Sequence, residues 1–306
     1  MTNSKYESAM SETNLSQFSF PEWEVPPKRV VSLVPSVTES LFELGFGGSL
    51  VGITDYCSRP AQGTGNMVRV GGTKRPDLEL IQSLSPDLVI ANQEETQREQ
   101  IEELAEKGIK VWLIFPKNVQ DSLDLLRQFL ALYHSDKDVM KVNSLQVAVD
   151  YARMAGESEP ATPYFCPIWY DFSDGTDWWM TFNQKTYPHD LLKLFGGINV
   201  FAERERMYPI AADIGSAKSE PAAGRDTRYP RVTAAEVIAA QPELILLPSE
   251  PYSFAEKDKQ VILYTFADTP AVRQGRVFFV EGSYLTWYGV RLAKALQSLP
   301  EFFYRH

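Results

Sequence analysis

The 306-residue sequence has little of the side-chain chemistry that holds metals or forms disulfides: two cysteines and three histidines. Cys57 and Cys166 lack metal-type spacing, and two separate thiols are expected. His134, His189 and His306 form no HExxH and no pair at helical spacing. No run of 18 apolar residues exists, so no transmembrane helix and no membrane insertion are expected. Cations are scarce: 30 Lys and Arg face 40 Asp and Glu, a formal charge of −10. That balance argues against a nucleic-acid partner and against an anionic membrane surface. The chain has no GxSxG elbow and no phosphate-binding P-loop. Gly45, Gly47 and Gly48 follow a helix rather than a strand, so they read as a turn and not a dinucleotide loop.

The first twenty residues, MTNSKYESAMSETNLSQFSF, carry one lysine and no apolar centre, which predicts no secretory signal. As written, the chain is expected in the cytoplasm. A misassigned start or a removed signal would place it in the periplasm or at the cell surface.

What is present is ordinary for a soluble globular protein, 44% hydrophobic and 23% charged, at a length that predicts two lobes. Residues 1–27 are polar, end in Pro26-Pro27 and read as a flexible arm. From Arg29 the pattern alternates. Strands are expected at 29–34, 50–54, 88–91 and 111–115, and helices at 78–84, 96–107 and 120–134. Such alternation with short links gives a parallel sheet covered by helices. Ser36-Val37-Thr38-Glu39 has the form of a capping box opening a helix that Gly45 stops. Residues 136–158 carry apolar side chains at helical spacing and no strand pattern, so a connecting helix is expected there. Residues 159–306 restart the pattern, with strands at 165–170, 178–182, 244–247 and 277–280. Helices are expected at 187–195, 234–240 and 289–299, and a long loop at 203–229.

Two short segments echo each other. SPDLVIANQE at 85–94 and QPELILLPSE at 241–250 both read Pro, acid, four apolar residues, two further residues and Glu. Their offset is 242 − 86 = 156 residues, about half the chain. The echo predicts two similar α/β lobes at 28–135 and 159–306. Ligands of open parallel sheets bind beyond the carboxyl ends of the strands, which makes Glu94 and Glu250 candidate cleft residues. The competing reading is that each glutamate caps the turn that follows it. Gly71-Gly72-Thr73-Lys74-Arg75-Pro76 places two cations on a flexible loop, either to receive an anionic chelate or as a solvated turn. His189 reads as a solvent-facing residue at a helix start in preference to an axial ligand. Trp178 and Trp179 are adjacent, so on a strand at most one lines a cleft.

The runs RVVSLVPSVTESLFELG (29–45), PDLELIQSLSPDLVIANQEE (76–95), KGIKVW (107–112), FGGINVF (195–201) and RYPRVTAAEVIAAQPELILLPSEPY (228–252) together resemble class III periplasmic binding proteins. These are the cobalamin- and siderophore-type receptors of ABC importers. The resemblance covers about residues 28–300. It implies an α/β fold of two Rossmann-like lobes with central parallel sheets, joined by one long helix. It also implies a non-enzymatic monomer that clamps a cobalamin, haem or ferric siderophore and has no cofactor of its own. Carried onto this sequence, it marks Tyr56, Tyr229, Trp287 and Tyr288 as ligand-facing aromatics, and Tyr252 joins them as a residue just after the second echoed strand. Trp179, Lys74, Arg75, Glu94 and Glu250 complete the expected ligand set. Permease docking in such proteins uses a glutamate on each lobe. Here that is Glu79 in the first lobe, while the same offset, 242 − 7, falls on Ala235 in the second. Glu236 is its neighbour, about 100° round the helix. A cytoplasmic homologue that handles or senses a chelate, or works as an enzyme with the same cleft, is the alternative.

Overall fold

The computed structural model describes residues 18–20, 23–173 and 175–304. Most of the expected arm 1–27, and His306, lie outside the described residues. The chain divides into two compact units. One holds the described residues up to Gln146 together with Trp287–Ala293; the other holds the described residues from Val147 to Thr286 and from Lys294 onward. The return of Trp287–Ala293 to the first unit is a feature that the expected segments do not contain.

The first unit is built on β1 (Val30–Ser32), β2 (Leu50–Ile53), β3 (Leu88–Asn92) and β4 (Val111–Ile114), all parallel, in the order β2-β1-β3-β4. Val31, Leu33, Val89, Ala91, Ile101 and Leu104 meet in its core, where strand and helix faces are stripped of water. The helix after β1 spans Pro35–Glu43, with Val34 at the N-cap and proline at the first turn. The expected capping box is therefore corrected. Proline sets the helical φ one residue before Ser36, so Ser36 lies inside the helix. Glu39 bonds elsewhere, as described below.

The second unit contains β5 (Thr162–Phe165), β6 (Trp169–Ser173), β7 (Thr176–Met180), β8 (Gly197–Asn199), β9 (Arg231–Thr233), β10 (Leu244–Pro248) and β11 (Val277–Val280). Four of these form a parallel sheet in the order β11-β10-β5-β8. Numbered within each four-stranded sheet, both read second, first, third, fourth. The echo segments are the third strand in each, and their bonding repeats at the same 156-residue offset. Asp87 and Glu243 both donate their backbone N–H across the ladder at 2.8 Å, to Arg29 O and Pro163 O. Val89 N–H bonds Lys110 O, and Ile245 N–H bonds Arg276 O. Even the left-handed residue before the proline recurs, at Ser85 (φ 47°) and Gln241 (φ 48°).

Two differences from the sequence reading have plain causes. The single strand expected at 165–170 is two strands, because the chain leaves the sheet at Cys166-Pro167 and proline offers no ladder donor. β6 then pairs antiparallel with β7, and β7 with β9, in a separate three-stranded sheet. The long loop at 203–229 holds one short helix, Ile210–Asp213. The connecting helix runs Val139–Ser158, 20 residues, and carries the chain from one unit into the other.

Candidate functional site

In the first unit the expected residues gather beyond the carboxyl ends of the strands. Tyr56 follows β2 and is 63% exposed. Lys74 and Arg75 are exposed on the next loop. That loop reaches the one after β3: Gln97 N–H bonds Lys74 O at 3.3 Å, and Arg75 Nε donates to Gln97 Oε1 at 3.0 Å. Glu94 is exposed there, its backbone N–H held by Asn92 Oδ1 at 2.6 Å. The other arm of the Asn92 carboxamide donates to Tyr288 Oη at 2.7 Å. One buried asparagine thus ties the Glu94 loop to the returning segment.

That segment is anchored at every turn. Gly289 N–H bonds Ser122 Oγ at 2.7 Å and Val290 N–H bonds Ser40 Oγ at 3.3 Å. Arg291 makes a two-pronged ion pair with Glu39, its Nε donating at 2.8 Å to Oε2 and its Nη2 bonding Oε1. Both side chains are buried, Arg291 at 3% exposure and Glu39 at 8%. The guanidinium carbon lies 5.4 Å from the centre of the Trp287 ring, which is half-buried. Tyr288, expected to face a ligand, is corrected to a buried group: it is 5% exposed, and burial pushes its hydroxyl pKa well up, so it stays a neutral hydrogen-bonding group.

In the second unit Glu250 follows β10, and its Oε1 accepts from Thr286 Oγ1 at 3.0 Å. Gly282, after β11, lies so close that a Cβ would overlap Glu250. Tyr252 is half-buried, donates to Asp258 Oδ1 at 3.1 Å and meets Trp169 edge to face at 5.6 Å. Trp169 is 41% exposed. The sequence reading absorbed it into one continuous strand, and the exposed ring emerges only once β6 is recognised as a separate antiparallel strand. Tyr229 is half-buried just before β9, with the Arg228 guanidinium over its ring at 5.3 Å.

A second expected ligand residue is corrected as well. Trp179 is 1% exposed, stacked on Tyr170 and packed against Phe266 in the core, so it offers no surface to a ligand. Trp178, at 4%, faces inward as well. Glu236, the second expected docking acid, closes a capping box with Thr233 and pairs with Arg204 Nε at 3.1 Å, with its side chain 36% exposed. Glu79, by contrast, is exposed on the helix Leu78–Ser83. Cys57 and Cys166 are separate buried thiols whose pKa values burial raises, which leaves them unreactive. Among the described residues no group of three or more His, Cys, Asp or Glu is arranged to hold a metal ion, and no helix is long and apolar enough to cross a membrane.

Comparison with known proteins supplies a family. The model of the family described as periplasmic binding protein matches residues 30–284. The vitamin B12-binding protein of Vibrio vulnificus is 28% identical over 194 residues, 63% of this chain and 68% of that protein. Among solved structures, the periplasmic vitamin B12 binding protein of Vibrio cholerae gives a TM-score of 0.69 at 22% identity, covering 91% of this chain and 97% of the other. A periplasmic heme-binding protein from Roseiflexus gives 0.68 at 23% identity, over 90% and 98%. The structural likenesses establish the fold.

Proposed function

We propose, from the premise that this chain belongs to the periplasmic binding protein family, that it is a non-catalytic receptor for a large metal chelate and that a cobalamin is its ligand. The observation that carries the reading is a set of aromatic rings left exposed or half-buried: Tyr56 and Trp287 on one unit, Tyr252 and the β6 residue Trp169 on the other. Rigid flat rings bury much area at little entropic cost, which suits a corrin or porphyrin plane. Glu94 and Glu250 suit amide N–H groups at the ligand's edge, and Lys74 and Arg75 suit its anionic groups. In this reading the metal arrives inside the chelate. The chelate is cargo rather than a cofactor. Haem is the second reading, favoured by the heme-binding structural relative; a ferric siderophore belongs to the same ligand class.

Exposed Glu79 is the residue we assign to an ABC permease contact, with no matching acid from Glu236. The names of the structural relatives support a periplasmic location. The receptor is expected to act as a monomer. The test is titration of Tyr56→Ala and Tyr252→Ala with cyanocobalamin and haemin. Each variant should bind at least about tenfold more weakly than the parent, a loss of about 1.4 kcal/mol, while its urea midpoint stays unchanged. Unaltered affinity in both variants would remove these rings from the site.

A further inference from the structure

We propose that Trp287–Ala293 is a strap whose buried Glu39–Arg291 clip sets the position of Trp287 for ligand, so that Glu39 and Arg291 are positioning residues. The inference rests on the reading of Trp287 as a ligand residue. It begins from an odd investment. The strap is far in sequence from everything it touches, yet the first unit holds it with four sets of polar contacts from three elements. The helix Pro35–Glu43 supplies Glu39 and Ser40, the helix Val119–Leu132 supplies Ser122, and the end of β3 supplies Asn92.

A buried ion pair is a poor way to gain stability, because desolvating both charges offsets most of their attraction, and apolar side chains of similar size often serve as well. What the pair does provide is direction. A guanidinium gripped at two nitrogens by one carboxylate has a fixed plane and a fixed place. Arg291 then stands over the Trp287 ring at 5.4 Å, close enough for its charge to hold the ring by its face. On the other side of Trp287 in sequence, Thr286 bonds Glu250. On its carboxyl side, Tyr288 is pinned through Asn92, the residue that also holds the Glu94 backbone. Gly289 fits this course for two reasons: its φ is 79°, and a Cβ there would overlap Ser40 Oγ. Trp287 is therefore bracketed by fixed points and presented half-open. The clip costs nothing in ligand contact, since neither Glu39 nor Arg291 reaches the surface.

The test compares Arg291→Lys, which keeps the charge and loses the fork, with Ser122→Ala, which loses only the Gly289 bond, and with Glu39→Gln where that protein melts cooperatively. Two readouts are used. Trp287 emission, taken as the difference between each protein and the same protein carrying Trp287→Phe, should shift to the red in Arg291→Lys without ligand. Affinity for cyanocobalamin or haemin, whichever the parent binds, should fall about tenfold in Arg291→Lys and vanish as a penalty in a Trp287→Ala background. Unchanged Trp287 emission, or the same loss of affinity with and without Trp287, would overturn the proposal. If the parent binds neither chelate, the chelate reading fails while the emission arm still decides the strap.

Discussion

Glu39 leaves the capping role that its sequence context suggests, and Glu236 fills one. Ser36-Val37-Thr38-Glu39 has the spacing of a capping box, yet Glu39 turns inward to Arg291, 252 residues away. Glu236 looked like a docking acid, yet it closes the cap that Thr233 opens, accepting from Thr233 N–H at 2.8 Å. Thr233-Ala234-Ala235-Glu236 has the same spacing and does close its box; what separates the two is Arg291, a partner outside the first motif that draws Glu39 away. Thr233→Ala should lower stability by about 1 kcal/mol, read as a shift in the urea midpoint at unchanged slope. His189 gives a pH-dependent counterpart. Burial is the main cause lowering its pKa, with Lys193 adding to it and Asp190 and Glu203 opposing. The unfolded chain therefore takes up a proton at His189 more readily than the folded one. This contribution leaves stability intact above the ordinary histidine value near 6.5 and erodes it as pH falls through that value toward the lower folded one. In His189→Gln, stability measured from pH 7.5 to 5.5 should fall less steeply than in the parent.

At the scale of elements, the parallel sheets were legible because buried strands announce themselves. The runs Leu88–Ala91 and Leu244–Leu247 are continuous apolar segments after a Pro-acid pair, and both become the third strand of a sheet with the same order. The hairpin β6–β7 was not legible in the same way. Its strands mix Trp, Tyr, Asp and Thr, so one face does not stand out as apolar. Its own signature is the Asp174-Gly175 pair between them, with Gly175 at φ 75°. The exposed Trp169 was missed for that reason. Gly175→Ala meets no neighbour but must hold a left-handed backbone, and should cost about 1 kcal/mol. Gly156→Ala should be worse despite its better helix propensity. The connecting helix packs there against the backbone of Leu194 and Gly196, and a Cβ would overlap the Leu194 carbonyl. A loss of about 2 kcal/mol or more is expected, measured by denaturant melting, with helix content retained in the folded baseline.

For the whole molecule, two α/β units with repeated strand order and a connecting helix follow from pattern and from family. The site follows less directly, because exposure is a property of the packed chain: Trp178 and Trp179 look alike in sequence to Trp169 and Trp287, and only packing sends the first two inward. The returning strap was likewise invisible, since nothing in Trp287–Ala293 marks it as belonging with the first unit. The central claim is that the rings left at the surface serve a metal chelate. Isothermal titration calorimetry of the parent protein against cyanocobalamin, haemin and a ferric siderophore tests it most directly. The account predicts saturable binding of at least one of them, cyanocobalamin foremost, with a Kd in the micromolar range or tighter, about −8 kcal/mol or beyond. No saturable binding of any of the three, by a protein that melts cooperatively, would contradict it.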